Sequence, residues 1–348
     1  AVVGSTIFMT LIGGSFIAFL GVIFARPILS ALGIDEDVMH LSLPYVQWML
    51  AGSPLLFVYI IYTSILRGVG DSTTPLIASG MTILIGFCVT PVLIAGYFGF
   101  PKLGIVAPAI ATILGFVSVL TFLYFYLNYK QHPLRLDAQL LRHIRFDRQL
   151  SKIILRLGVP TGIQMITTSV AGLVIVGLVN RHGADATAAY GAVNQVLNYI
   201  QFPALSIAIA ASIFGAQAIG AGKSELLAKV TRTALGMNII ITGSLVVLAY
   251  LFSKYLMALF ITDHAVVELG QQLLFIVLWS ILFFGASAIF ASIMRASGTV
   301  TMPMIINIIA IIAIEVPCAY LFSEWWGLQG IWYAYALAFV SLCIMQGL

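Results

Sequence analysis

A chain of 348 residues that is 61% hydrophobic and only 8% charged cannot be clothed by water, since a soluble domain carries about 25% charged residues. With a mean hydropathy of +1.09, most of its surface must meet lipid. A net charge of +4 spread this thinly gives no sign of a nucleic-acid partner.

A membrane-spanning helix needs about 20 mostly apolar residues. In chain order the runs that qualify are 4–25, 41–66, 74–97 and 103–127. After a polar stretch at 129–156 come 157–180, 187–216, 231–252, 268–294, 302–322 and 327–347. The runs are long and unbroken, which predicts helices; a transmembrane barrel would show short alternating segments. The expected organisation is an all-α integral membrane protein with a first lobe over 1–128, a basic cytoplasmic linker over 129–156 and a second lobe over 157–348. The linker holds His132, Pro133, His143 and several arginines, and reads as a segment lying against the membrane surface. Cys88, Cys318 and Cys343 sit inside apolar runs and read as small core residues, with neither a disulfide framework nor a metal site.

The basic residues sort by side. If 129–156 is cytoplasmic and the spans alternate outward from it, twelve of the 16 Lys and Arg residues fall at cytoplasmic ends. Only Arg26, Lys102, Arg181 and Lys254 fall at external ends. That is a positive-inside bias, and it puts the loops around Arg67, Lys229 and Arg295 on the cytoplasmic side.

A repeat runs through the chain. Residues 64–75 read SILRGVGDSTTP and residues 292–303 read SIMRASGTVTMP, with six of twelve positions identical. The shared positions include Arg67 and Arg295, Gly70 and Gly298, and Pro75 and Pro303; Asp71 is matched by Thr299. Further on, Pro91 answers Pro317. Six spans separate the copies, so the halves have the same orientation, as in the duplicated folds of secondary transporters. The fold class expected is two parallel six-helix bundles. On this alignment Ala1 falls near Ala228, so ten of twelve helices are expected here, with the first two missing. No signal peptide is expected before the first run. The motif itself reads as a tight hairpin: Arg at the negative end of a helix dipole, Gly in the turn, Pro in the first turn of the next helix.

The run Arg67-Gly68-Val69-Gly70-Asp71-Ser72-Thr73-Thr74-Pro75 resembles the hallmark loop of the multidrug and toxic compound extrusion (MATE) transporters. Gly215-Ala216-Gln217-Ala218-Ile219-Gly220-Ala221-Gly222 and Leu157-Gly158-Val159-Pro160-Thr161-Gly162-Ile163-Gln164 are similar to two further family motifs, in the family's order. The resemblance implies two lobes around a central cavity. It also implies export of organic cations or drugs by antiport, with sodium ions or protons as the coupling ion and no other cofactor. A monomer surrounded by membrane lipids in the cell membrane is expected. Family members often place an ion-binding carboxylate on the first helix, one of the two expected to be absent.

Several polar residues lie inside spans. Glu315 is the only acid deep in one, and burying its charge costs at least about 2.5–3.5 kcal/mol, so it should face a cavity or a partner. Asn194, Asn198 and Gln201 fall at i, i+4 and i+7, forming one helix face with Gln195 and Tyr199 beside it. Gln164, Thr167 and Thr168 make a similar face on the preceding helix. Glu315, Gln164, Thr168, Asn194, Asn198, Tyr199 and Gln201 are therefore the candidate ion and substrate residues; Tyr59 and Tyr62 read as packing. No Cys/His cluster, Walker-type loop or nucleophile–base spacing is present, so no enzyme is expected. A flippase for lipid-linked oligosaccharides or peptidoglycan precursors is the alternative, but it needs a cationic cavity, and here every Lys and Arg lies at or near a helix end.

Overall fold

The computed structural model describes residues 2–31, 35–132, 134–135 and 147–348. Pro133, Arg142, His143 and Arg145 of the polar stretch lie outside the described residues. Ten helices are long and apolar enough to cross a membrane, and each falls on one of the ten expected runs. The protein is an all-α, multi-pass integral membrane protein, with no strand among the described residues.

In order the helices are α1 (Val2–Ala31), α2 (Glu36–Gly68), α3 (Thr73–Ala95), α4 (Ala107–Tyr129), α5 (Arg148–Asn180), α6 (Ala184–Gly220), α7 (Leu226–Leu251) and the short α8 (Ser253–Ala258). The next span combines α9 (His264–Val277), a 3-10 turn at Leu278–Ser280 and α10 (Ile281–Ala296). The one after it combines α11 (Thr301–Ile309), a π-helical turn at Ala310–Glu315 and α12 (Val316–Trp326), and α13 (Leu328–Gly347) is last. Several helices overrun the apolar stretches, because hydropathy marks only the hydrocarbon-facing part of a helix. The clearest case is α5, which starts at Arg148, so the end of the polar stretch is helical.

The chain forms two compact units, Ala1–Leu155 and Arg156–Leu348, with the boundary inside α5. In the first unit α1 packs along α2, and α4 packs on α2 and α3. Small residues let the backbones approach: Gly14 lies against Pro54 and Phe57, and Gly21 against Leu50. Tyr62, Leu66, Ala78, Val119, Leu123 and Leu127 form the core.

In the second unit α6 is central, packing on α7, α9 and α10, while α13 packs on α10 and α12. The core gathers Val193, Val196 and Leu197 of α6, Leu273, Leu274 and Val277 of α9, Ile281 of α10 and Trp332 of α13. Asn238 of α7 is buried and its Nδ2 donates to the Leu282 carbonyl at 3.1 Å. Thr242 Oγ1 donates to Asn238 Oδ1 at 2.9 Å, so this buried amide has both a donor and an acceptor partner. The cysteines are free, but their placement differs from the expectation: Cys88 is exposed and Cys318 and Cys343 are half-buried. In a membrane protein an apolar run can face lipid as well as core, so hydropathy alone did not separate the two.

The two repeated segments fold alike. Gly70 and Gly298 hold φ of 94° and 84°, a left-handed conformation that favours glycine. Gly70 N–H donates to Arg67 O and Asp71 N–H to Leu66 O; Gly298 N–H donates to Arg295 O and Thr299 N–H to Met294 O. Both turns are thus the same Schellman closure of the preceding helix. Arg67 bonds Ser64 at 3.0 Å and Arg295 bonds Ser292 at 3.4 Å. Pro75 and Pro303 each occupy the third position of the following helix, where no intrahelical donor is lost.

The copies differ in how the next helix is capped. Asp71 Oδ1 accepts from Thr74 N–H at 3.0 Å and its Oδ2 from Thr74 Oγ1 at 2.6 Å, capping α3. His132 Nε2 lies 3.9 Å from Asp71 Oδ2. Burial raises the Asp71 carboxyl, but the Thr74 hydrogen bonds and the pull of His132 outweigh it and hold the group below its ordinary value.

Candidate functional site

Glu315 ends the π-helical turn of the α11–α12 span and is 8% exposed. The turn has a local cause. Pro317 has no N–H to give the carbonyl four residues back, and its ring would crowd that carbonyl. A widened turn just before the proline accommodates it in mid-span and re-aims the side chains there, a feature frequent at functional sites. Glu315 has no hydrogen bond or ion pair among the described residues.

Glu315 lies within electrostatic reach of Tyr335 on α13. Tyr335 Oη is 3.2 Å from Tyr190 Oη on α6, and Asn194, one turn along α6, donates its Nδ2 to the Tyr190 carbonyl at 3.0 Å. The Trp332 ring packs on Tyr190 at 5.4 Å and on Tyr335 at 5.6 Å between centroids. Trp332 is fully buried and its indole Nε1 has no hydrogen-bond partner among the described residues. Three aromatic side chains from α6 and α13 thus form one cluster, and its Tyr335 lies within electrostatic reach of Glu315.

The other expected residues divide. Thr168 of α5 is 3.4 Å from Asn307 Oδ1 of α11, two turns before Glu315 on the same span, and Thr168 also bonds the Gln164 carbonyl at 3.0 Å. Gln164 is half-buried one turn away. Of the α6 stripe, Asn194 is half-buried with its amide turned back onto the Tyr190 carbonyl of its own helix, Gln201 is half-buried and Asn198 is exposed. Tyr199 is not brought to them; it lines an apolar groove with Leu245, Leu248 and Phe260. Tyr59 bonds Ser79 at 3.0 Å and Tyr62 bonds the Leu134 carbonyl at 2.6 Å, both within the first unit.

Sequence reasoning missed Tyr190, Trp332, Tyr335 and Asn307. Asn307 stands alone in an Ile-rich run and was detectable by the same rule that found Glu315. A tyrosine or tryptophan in an apolar helix carries no comparable signal.

The comparisons with known proteins bear on this arrangement. The sequence model of the MatE family matches residues 1–92 and 160–321. The chain belongs to that family. The "Probable multidrug resistance protein YoeA" of Bacillus subtilis is 43% identical over the whole of this chain, which spans 76% of that relative. The "Probable multidrug resistance protein NorM" of Thermotoga maritima is 28% identical over 89% of this chain and 69% of its own length. Among solved structures, an outward-facing MATE-family multidrug resistance transporter has a TM-score of 0.90 at 20% identity, over 99% of this chain and 76% of that one. At that identity the likeness concerns the fold. The MatE family is one of membrane transporters, not enzymes, and this chain is a multi-pass member of it.

Proposed function

We propose that the protein is a secondary active multidrug exporter. It moves organic cations or drugs out of the cell in exchange for sodium ions or protons, by alternating access, as a monomer in the lipid bilayer. The observation that carries this reading is Glu315: a carboxyl group buried in mid-span, without an ion pair or hydrogen bond among the described residues, within electrostatic reach of Tyr335. A charge held there is costly in hydrocarbon surroundings. A bound proton or sodium ion neutralises it, so ion occupancy changes the free energy of any state that buries the group, which is how a ligand shifts a conformational equilibrium.

Gln164, Thr168, Asn194, Asn198 and Gln201 supply uncharged polar groups in the same unit, suited to varied ligands, and the relatives named as multidrug resistance proteins support the substrate class. The test is efflux from cells loaded with ethidium and then given an inward sodium or proton gradient. Gradient-dependent extrusion is expected; its absence for every organic cation tried would remove the assignment.

A further inference from the structure

A cavity stands apart from the Glu315 cluster. It is a groove of about 580 Å³ between α6 and α7. Alanines hollow it out: Ala210 and Ala211 on one side and Ala234 on the other stand between the larger Phe214 and Met237. Its floor is closed, because Ala211 and Ala234 pack with Ile289 of α10.

Three features select an occupant. The first is length: along α7 the lining from Lys229 to Met237 covers about 12 Å at roughly 1.5 Å per residue, most of a leaflet's depth. One leaflet of a bilayer offers about 15 Å of hydrocarbon. The second is chemistry, since apart from Lys229, Thr233 and Ser206 the lining is apolar, and the Ser206 hydroxyl is turned back onto the Phe202 carbonyl. The third is charge. Lys229 is the one charged residue in the lining; it is exposed and has no ion pair among the described residues. Lys223 and Arg232 flank it, against the single acid Glu225. The distribution of basic residues along the chain puts this end of the groove on the cytoplasmic side.

We propose that the groove binds an anionic phospholipid of the cytoplasmic leaflet, with an acyl chain lying between α6 and α7 and the phosphate against the Lys229 ammonium. An organic cation would be repelled at the same mouth, so this is not a second site for the proposed cargo. The inference does not depend on which ion drives transport.

The test uses the protein in vesicles doped with a photoactivatable phosphatidylglycerol or phosphatidylcholine carrying its diazirine on the acyl chain, followed by peptide mapping. The phosphatidylglycerol probe should label residues 206–214 and 226–237 in preference to the choline lipid. Lys229→Gln, an exposed change that leaves the core intact, should reduce that labelling about fivefold, as expected for one lysine near an anionic surface, and leave phosphatidylcholine labelling unchanged. Ala210→Phe, which fills the groove, should abolish labelling there. Equal labelling by the two lipids, a Lys229→Gln protein that labels like wild type, or labelling absent from these two helices would each overturn the proposal.

Discussion

Helix α3 and the α11–α12 span start from one plan and end differently. Each follows an Arg-x-x-Gly Schellman turn, carries proline at its third position and meets a second proline further along. In α3 that proline is Pro91, one turn before the helix ends at Ala95, and the helix stays regular. In the other copy it is Pro317, with Trp326 still ahead, and the chain widens into a π-helical turn instead. Each proline removes the donor for the carbonyl four residues back, and only around Pro317 does the helix widen in response. The residue two before the proline differs as well: Val89 packs beside Leu93, Ala107 and Ala111, whereas Glu315 is a buried carboxyl. The hairpin is the same in both halves, and the buried carboxyl lies in the copy with the distorted helix.

Four expectations break or sharpen this comparison. Pro317→Ala restores the missing donor and removes the cause of the wide turn. It should slow ethidium efflux about tenfold, equivalent to ~1.4 kcal/mol, while Pro91→Ala leaves the rate near wild type. Equal effects on efflux rate would erase the distinction between the two spans.

Gly70→Ala and Gly298→Ala should each cost about 1–2 kcal/mol, because alanine is strained at these positive φ values. Thermal melting of purified protein would measure this. Similar losses at the two sites would mean the hairpins are equivalent, and a large disparity would mean they are not.

Asp71→Ala removes the α3 cap and should cost about 1 kcal/mol. The converse change, Thr299→Asp, should add up to that amount by offering α11 the cap it lacks. The same melts would show whether the second turn can accept it.

The smallest effect depends on pH. The Asp71 carboxyl is held below its ordinary value in the folded protein, so its contribution is fully present above the ordinary carboxylate range. That contribution is lost as pH falls through the lowered folded value. The melting difference between wild type and Asp71→Ala should therefore be constant from neutrality to about pH 4 and shrink below it. A difference that persists in stronger acid would show that the carboxylate charge is not what caps α3.

Much of this was legible in the sequence. The ten spans follow from hydrophobic length because lipid leaves the backbone no alternative to a helix. The hairpins follow from glycine and proline, whose backbone limits act locally. Glu315 stood out because an acid in an apolar run must be accommodated somewhere. The Tyr190–Tyr335 pair and the orphan indole of Trp332 were not legible, since an aromatic residue reads the same whether it meets lipid, core or an acid. The α6 stripe was half legible: periodicity put Asn194, Asn198 and Gln201 on one face, but only tertiary packing turns Tyr199 toward Leu245. The π-helical turn was hinted at by Pro317, but the sequence did not say whether the helix would kink, widen or stop there.

The account rests most on Glu315, and gradient-driven efflux tests it directly. Ethidium extrusion would be followed in cells making equal amounts of wild type, Glu315→Gln and Val89→Gln, under imposed sodium and proton gradients. Wild type and Val89→Gln should extrude the dye only when a gradient is present, and Glu315→Gln should lose the gradient-driven component. Glu315→Gln extruding at the wild-type rate, with the same response to both gradients, would contradict the assignment and leave the carboxyl a structural role.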